Sequence, residues 1–168
     1  MPKTAIIYGG ARDHGNTLHL INAVAQKISA DVFNIALYQI SFYDHEHNNR
    51  TDDFLPLIKT LVQYDCLIFA SPVYWYTMSA QLKVFVDRIS DLMDIEQDVG
   101  RQLCGLGAAL IATGVEESCP TCYEDVFIHS FNYLDMNYLG CLYVDTSKSI
   151  DPHELESQVS AFASALGH

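Results

Sequence analysis

Short apolar runs and helix-spaced apolar stripes trade places along this chain from one end to the other. The segment TAIIYGG (4–10) is β-rich and stops at two glycines. Residues 16–29 set Ile21, Val24, Ala25 and Ile28 at the i, i+3, i+4, i+7 spacing of an amphipathic helix. DVFNIAL (31–37) predicts a second strand. The polar stretch SFYDHEHNNR leads to a helix opened by Asp52 or Asp53, with Pro56 in its first turn. Its expected inward stripe is Leu55, Ile58, Leu61 and Val62. CLIFASPV (66–73) is apolar without a break, as a strand covered on both faces must be. The helix after it turns Leu82, Phe85, Val86, Ile89 and Leu92 inward and leaves Lys83 and Asp87 to pair outside. GLGAALIAT (105–113) predicts a fourth strand, residues 122–136 a helix, and GCLYVDT (140–146) a fifth strand. A last helix carries Leu155, Val159, Phe162 and Leu166.

Five strands alternating with five helices imply an α/β fold, a parallel sheet covered by helices on both faces. No repeat, low-complexity tract or linker interrupts the pattern, so residues 1–168 are expected to form a single domain. Ligands of such sheets sit beyond the carboxyl ends of the strands, where strand order reverses. The loops after the first, third and fourth strands therefore carry the information.

The first of these loops is GGARDHGNT (9–17). Gly9, Gly10 and Gly15 permit tight turns, and Asn16 or Thr17 can cap the helix that follows. Backbone N–H groups at a helix start make an anion site, and Arg12 adds a positive charge. The loop is neither GxGxxG nor a Walker sequence. The second loop, SPVYWYTM (71–78), puts Tyr74, Trp75 and Tyr76 at the exposed end of a buried strand, where their apolar area gains least. A planar heteroaromatic ligand would use such a bed, with backbone amides at its polar edge. The aromatics could instead fill gaps between layers or form a subunit contact. In the third loop, ATGVEES (112–118), Thr113 and Gly114 mark another close approach. A phosphate nest with two loops flanking a crevice suits a phosphorylated flat ring.

Charge narrows the partners. Twenty-one acidic residues against nine basic ones give a formal charge of −12. That field repels nucleic acid and anionic membranes, so neither is an expected partner. No apolar segment is long enough to span a bilayer, and MPKTAIIYGG lacks a signal-peptide profile, so the expected location is cytoplasmic. Five cysteines, an odd number, argue against a secreted disulfide scaffold.

These residues resemble the flavodoxin-fold family of NAD(P)H-dependent FMN reductases, with its quinone and azo-compound reductases. Residues 9–17 correspond to a family loop commonly written G-S-x-R-x-x-G-N-T. SPVYWYTMSAQLKVFVDR (71–88) is very close to S-P-V-Y-W-x-x-M-S-x-x-x-K-x-F-x-D-R. The resemblance covers nearly the whole chain. It implies a flavodoxin-like three-layer α/β/α sandwich with five parallel strands in the order 2-1-3-4-5. By the same resemblance, Arg12, Gly15, Asn16 and Thr17 hold the FMN phosphate, with Gly10 and His14 in the same loop. Ser71, Pro72, Val73, Tyr74 and Trp75 line the isoalloxazine, and Thr113 and Gly114 close the ring site from the other side. Gly10 departs from the family pattern, which often has Ser there, and a hydroxyl ligand is lost. Hydride would pass from NADPH or NADH to the flavin N5 and on to a small-molecule acceptor such as a quinone, azo compound or free flavin. No catalytic side chain is needed for that, and none is assigned. The resemblance also implies a homodimer or homotetramer. The alternative is a flavodoxin-type carrier of single electrons, which the acidic charge suits. The phosphate loop lacks the Ser/Thr-x-Thr-Gly-x-Thr pattern of such carriers.

Two further clusters draw attention. CPTC (119–122) stands at the start of the fourth helix, where a thiol pKa falls, so a flavin-linked dithiol is one reading and two ordinary reduced cysteines the simpler one. DHEH (44–47) holds four residue types that bind metals, but a polar loop of mixed ligands is ordinarily just solvated, and no metal is expected.

Overall fold

The computed structural model describes residues 2–10 and 14–168. Five parallel strands, β1 (Thr4–Tyr8), β2 (Asp31–Asn34), β3 (Cys66–Pro72), β4 (Gly107–Gly114) and β5 (Asn137–Asp145), form one sheet in the order β2-β1-β3-β4-β5. The helices are α1 (Asn16–Ile28), α2 (Phe54–Leu61), α3 (Ala80–Arg88), α4 (Asp91–Asp94), α5 (Gln97–Gly100), α6 (Thr121–Tyr133) and α7 (Pro152–Ala165). Side chains alternate across β1 with the period of two that a pleated strand imposes. Ala5 and Ile7 join a core with Phe54, Leu82, Phe85 and Phe127, under α2, α3 and α6. Ile6 and Tyr8 join a second core with Ile21, Val24, Val159 and Phe162, under α1 and α7. The sheet is thus covered on both faces in the flavodoxin-like α/β/α arrangement.

Several elements differ in detail from what the sequence suggests. The second strand stops at Asn34 rather than residue 37, because the Asn34 carboxamide accepts the Ala36 N–H (3.1 Å) and turns 35–37 into a 3₁₀ turn. The α2 stripe is rotated: Phe54 and Leu57 are buried with Ile58 and Leu61, while Leu55 is half-buried. Asp52 accepts the Phe54 N–H (3.0 Å) at the start of this helix. The helix carrying Leu82 and Phe85 ends at Arg88, and Leu92 belongs to α4; with α5 and a 3₁₀ turn at Arg101–Leu103 this connection is more broken than the pattern predicts.

β5 starts at Asn137, three residues before the expected residue 140. The difference is a bulge. Ala108 pairs with Tyr138, yet Leu110 pairs with Cys141, so β5 spends three residues where β4 spends two. The additional residue fits at Gly140, whose φ of 124° is a conformation that side chains rarely adopt.

A polar knot ties the loop before α2 to the connection after α3. Arg88, 1% exposed, donates to Asp52 (2.5 Å), Asp91 (2.8 Å) and the Ser41 carbonyl (3.1 Å), and its guanidinium lies 4.9 Å from the Phe54 ring centre. Burial pushes the Asp52 carboxyl up, but hydrogen bonds from Arg88 and from the Ser41 and Phe54 amides together hold it below its ordinary value. His47 Nδ1 lies 3.0 Å from Asp91, while Asp44 accepts from the Glu46 and Asn48 amides. Asp44 is thus spent on its own turn and His47 on this knot. Among the described residues no group of three His, Cys, Asp or Glu side chains is placed to hold a metal, and no helix is long and apolar enough to cross a membrane.

Candidate functional site

At the carboxyl edge of the sheet a cleft of about 230 Å³ opens between the strand ends. Its walls are Gly15, Asn16 and Thr17 from the start of α1; Pro72, Val73 and Tyr74 after β3; and Thr113, Gly114 and Val115 after β4. Tyr8 at the end of β1 and Thr146 beyond β5 complete it. Segments far apart in sequence meet here because parallel strands all deliver their carboxyl ends to one edge, and order reverses on either side of β1.

Hydrogen bonds lock the segments to one another. The Thr17 and Thr113 hydroxyls are 2.6 Å apart, both buried, joining the first turn of α1 to β4. The Val73 N–H donates to the Thr113 carbonyl (2.8 Å), so the two ring-flanking loops hold each other. Thr146 donates both its N–H (2.7 Å) and its hydroxyl (2.8 Å) to the Gly114 carbonyl. The Ser79 hydroxyl donates to the Gly9 carbonyl and accepts from the Leu82 N–H, tying the first loop to α3.

The helix start differs from the sequence expectation. Gly15 is the N-cap, with extended backbone, and among the described residues no side chain caps α1. Asn16 and Thr17 are its first helical residues, and Thr17 spends its hydroxyl on Thr113. Among the described residues, the first-turn N–H groups of α1 therefore have no side-chain cap. Among the described residues the cleft walls hold no charged side chain. The start of α1 at one end of the cleft, with its first-turn N–H groups, fits a phosphate. The segments Pro72–Tyr74 and Thr113–Val115, which both line the cleft, suit a flat ring.

The loop after β3 closes in a two-residue hairpin turn. Tyr74 and Thr77 exchange both backbone hydrogen bonds (2.9 and 3.0 Å) across Trp75 and Tyr76. Both intervening residues are left-handed, with φ of 49° and 64°. This is the type I′ pattern, which normally calls for Asn-Gly. A left-handed conformation costs an ordinary side chain about 1–2 kcal/mol. Two aromatics hold it here at the mouth of the cleft, where Trp75 is 94% and Tyr76 56% exposed.

Eight of the residues singled out in the sequence therefore line one cleft. Trp75 does not; it projects past the mouth. Ser71 lies below the floor, fully buried, donating to the Pro72 carbonyl (2.7 Å) and accepting from the Ser79 N–H (2.8 Å). His14 is exposed and outside the walls. Arg12 lies outside the described residues. Gly10 stands behind the wall, because a Cβ there would collide with the Tyr8 phenol oxygen and ring. Tyr8, Val115 and Thr146 were missed; their signal was simply position at or just beyond strand ends.

The cysteines of CPTC diverge. Cys122 is exposed, its sulfur 3.8 Å from the Tyr76 carbonyl. Cys119 is half-buried beside Cys141 of β5 instead, with the sulfurs 4.0 Å apart.

The chain is 31% identical over 150 residues to Bacillus subtilis YwqN, which bears the name of an NAD(P)H-dependent FMN-containing oxidoreductase; the match covers 82% of each protein. Among solved structures, the Trp repressor binding protein from Bacillus subtilis superposes with a TM-score of 0.75 at 27% identity, over 98% of this chain and 97% of that one. An FMN-dependent NADH-azoreductase from Bacillus anthracis, solved with FMN, shares the fold over 98% of each chain, with a TM-score of 0.72 at 11% identity. The sequence pattern of the NADPH-dependent FMN reductases matches residues 2–150. With that match, this sheet order and these loops, the chain belongs to the NADPH-dependent FMN reductase family and is an NAD(P)H-dependent FMN oxidoreductase.

Proposed function

We propose that the cleft at the carboxyl edge seats FMN with its phosphate at the start of α1 and its ring between the loops after β3 and β4. The convergence of Gly15–Thr17, Pro72–Tyr74 and Thr113–Gly114 on one cleft carries this reading. FMN held there would supply hydride chemistry between NADPH or NADH and a small oxidised molecule, for which a quinone, an azo compound or free flavin are the candidates. The chain's own groups position it. The α1 amides face the phosphate, with Arg12 supplying the charge that the cleft walls lack. The Thr17–Thr113 bond keeps the phosphate end and the ring end in fixed register. Pro72, Val73 and the strained Tyr74–Thr77 turn wall off water on one side of the ring, and Gly114 and Val115 on the other. Tyr8 places its phenol oxygen where a residue-10 side chain would stand, so its hydroxyl stands in for the missing serine.

The chain acts as one domain, in keeping with the single unbroken sheet. Exposed Trp75 and Tyr76 suit a subunit contact, and a homodimer or homotetramer is the working assembly. A cytoplasmic enzyme with small-molecule partners fits the charge of −12.

The test is an anaerobic titration of the FMN-saturated protein with NADPH, read by flavin absorbance. Direct bleaching is expected. Flavin that binds yet stays oxidised until dithionite is added would replace the reductase reading with the electron-carrier one. The phosphate assignment has its own check: Arg12→Ala should weaken FMN more than riboflavin, and equal losses would sink it.

A further inference from the structure

Gly140 decides which way Cys141 faces. On the β4 side of the pairing, Ala108, Leu110 and Ala112 all point into the core under α2, α3 and α6. Their partners Tyr138, Cys141 and Tyr143 pack against that same core, whereas Leu139, Leu142 and Val144 belong to the opposite one. Residues 138 and 141 share a face only because the bulge at Gly140 inserts one position between them. Without it, alternation would turn residue 141 towards α1 and α7. The bulge instead brings the Cys141 sulfur to 4.0 Å from that of Cys119, in the loop between β4 and α6.

We propose that Cys119 and Cys141 form a redox couple, a dithiol that a hydroperoxide converts to a disulfide. The sulfurs are in van der Waals contact and must close by about 2 Å to bond. Cys119 is half-buried in a loop whose residues 115–118 are exposed, and Cys141, also half-buried, lies beside it on β5. The Cys141 S–H donates to the Cys119 sulfur, which holds the Cys119 thiol below its ordinary value, against burial and the Glu124 carboxylate. The same bond, with burial, pushes Cys141 up. Cys119 also sits just ahead of the N-terminus of α6, which favours a thiolate.

The chemistry balances without a further reagent. The Cys119 thiolate attacks the peroxide, forming an S–O bond as the O–O bond breaks, and the alkoxide or hydroxide takes up a proton and leaves. The Cys141 sulfur then attacks the Cys119 sulfenic acid; the S–S bond forms, the S–O bond breaks, and water departs with the Cys141 proton. Two thiols lose two electrons and the peroxide gains them. A low-molecular-weight thiol restores the dithiol by exchange. The disulfide would fasten to β5 the loop that begins at the Gly114–Val115 wall of the cleft. The Tyr143 hydroxyl already donates to the Glu116 carbonyl of that loop (2.9 Å).

The test needs no assumption about flavin. Full-length reduced protein, with and without FMN, is treated with one equivalent of hydrogen peroxide, capped with N-ethylmaleimide and mapped without reduction by mass spectrometry. A linked Cys119–Cys141 peptide pair is expected, with Cys66 and Cys104 capped. Cys122→Ser should leave that product intact. Cys141→Ser should accumulate dimedone-reactive sulfenic acid at Cys119. A Cys119–Cys122 link in its place, or capped Cys119 and Cys141 while Cys104 and Cys122 oxidise, overturns the proposal. None of these outcomes bears on the NADPH titration, so the two readings stand or fall separately.

Discussion

Arg88 is 1% exposed and Trp75 is 94% exposed, the reverse of where a guanidinium and an indole usually lie. The two residues sit thirteen positions apart in one stretch of chain, and the contrast separates two ways of departing from the sorting rule. Arg88 is buried because its donors are taken by Asp52, Asp91 and the Ser41 carbonyl, with Phe54 beneath the guanidinium. Its departure is compensated on the spot. Trp75 and Tyr76 have no such compensation among the described residues: their backbone is left-handed and their rings face solvent. A satisfied polar knot needs no ligand to account for it. A strained, exposed aromatic turn has no such local account, and under the proposed function FMN or a second subunit docking at the cleft mouth would supply it.

Removing the knot should have the largest effect. Arg88→Met keeps much of the side-chain volume but strands two carboxylates, and should cost about 3–5 kcal/mol of stability in urea denaturation. A loss under about 1 kcal/mol would mean that water reaches Asp52 and Asp91 freely. The turn should respond in the opposite direction. Replacing Trp75 and Tyr76 by Asn and Gly supplies the residues a type I′ turn prefers, and should raise stability by about 1–2 kcal/mol while weakening FMN binding or subunit association. Unchanged affinity and assembly would make the aromatic turn a structural accident.

The mildest expected change is in pH dependence. The Asp52 carboxyl is held below its ordinary value in the fold, so its stabilising contribution is complete above about pH 4 and fades as pH falls through the folded value. Asp52→Asn should flatten the stability curve in that acid window. A variant that follows the wild-type acid slope would show that Arg88 leans on Asp91 alone.

Much of this organisation was legible in the chain because periodicity is a local signal. CLIFASPV and GLGAALIAT read as buried strands since their faces are both covered, and the loops after them fell where parallel sheets keep their ligands. What escaped was set by single contacts. Asn34 ended a strand early by capturing one amide, and no propensity announces that. Tyr8 reads as one more core residue of β1, although the strand end it occupies opens on the cleft. CPTC left open a dithiol of Cys119 with Cys122 or two ordinary cysteines; a one-residue bulge in another strand instead sets Cys141 beside Cys119.

The collision between Tyr8 and any side chain at position 10 has an evolutionary consequence. A serine at 10 would force the Tyr8 phenol to move aside, and losing the tyrosine first removes a hydroxyl from the cleft before a replacement exists. The two positions are therefore expected to change together across the family, Tyr with Gly in one lineage and a smaller residue with Ser in another. Intermediates between the two should be scarce, with each lineage keeping one hydroxyl at this spot by a different route.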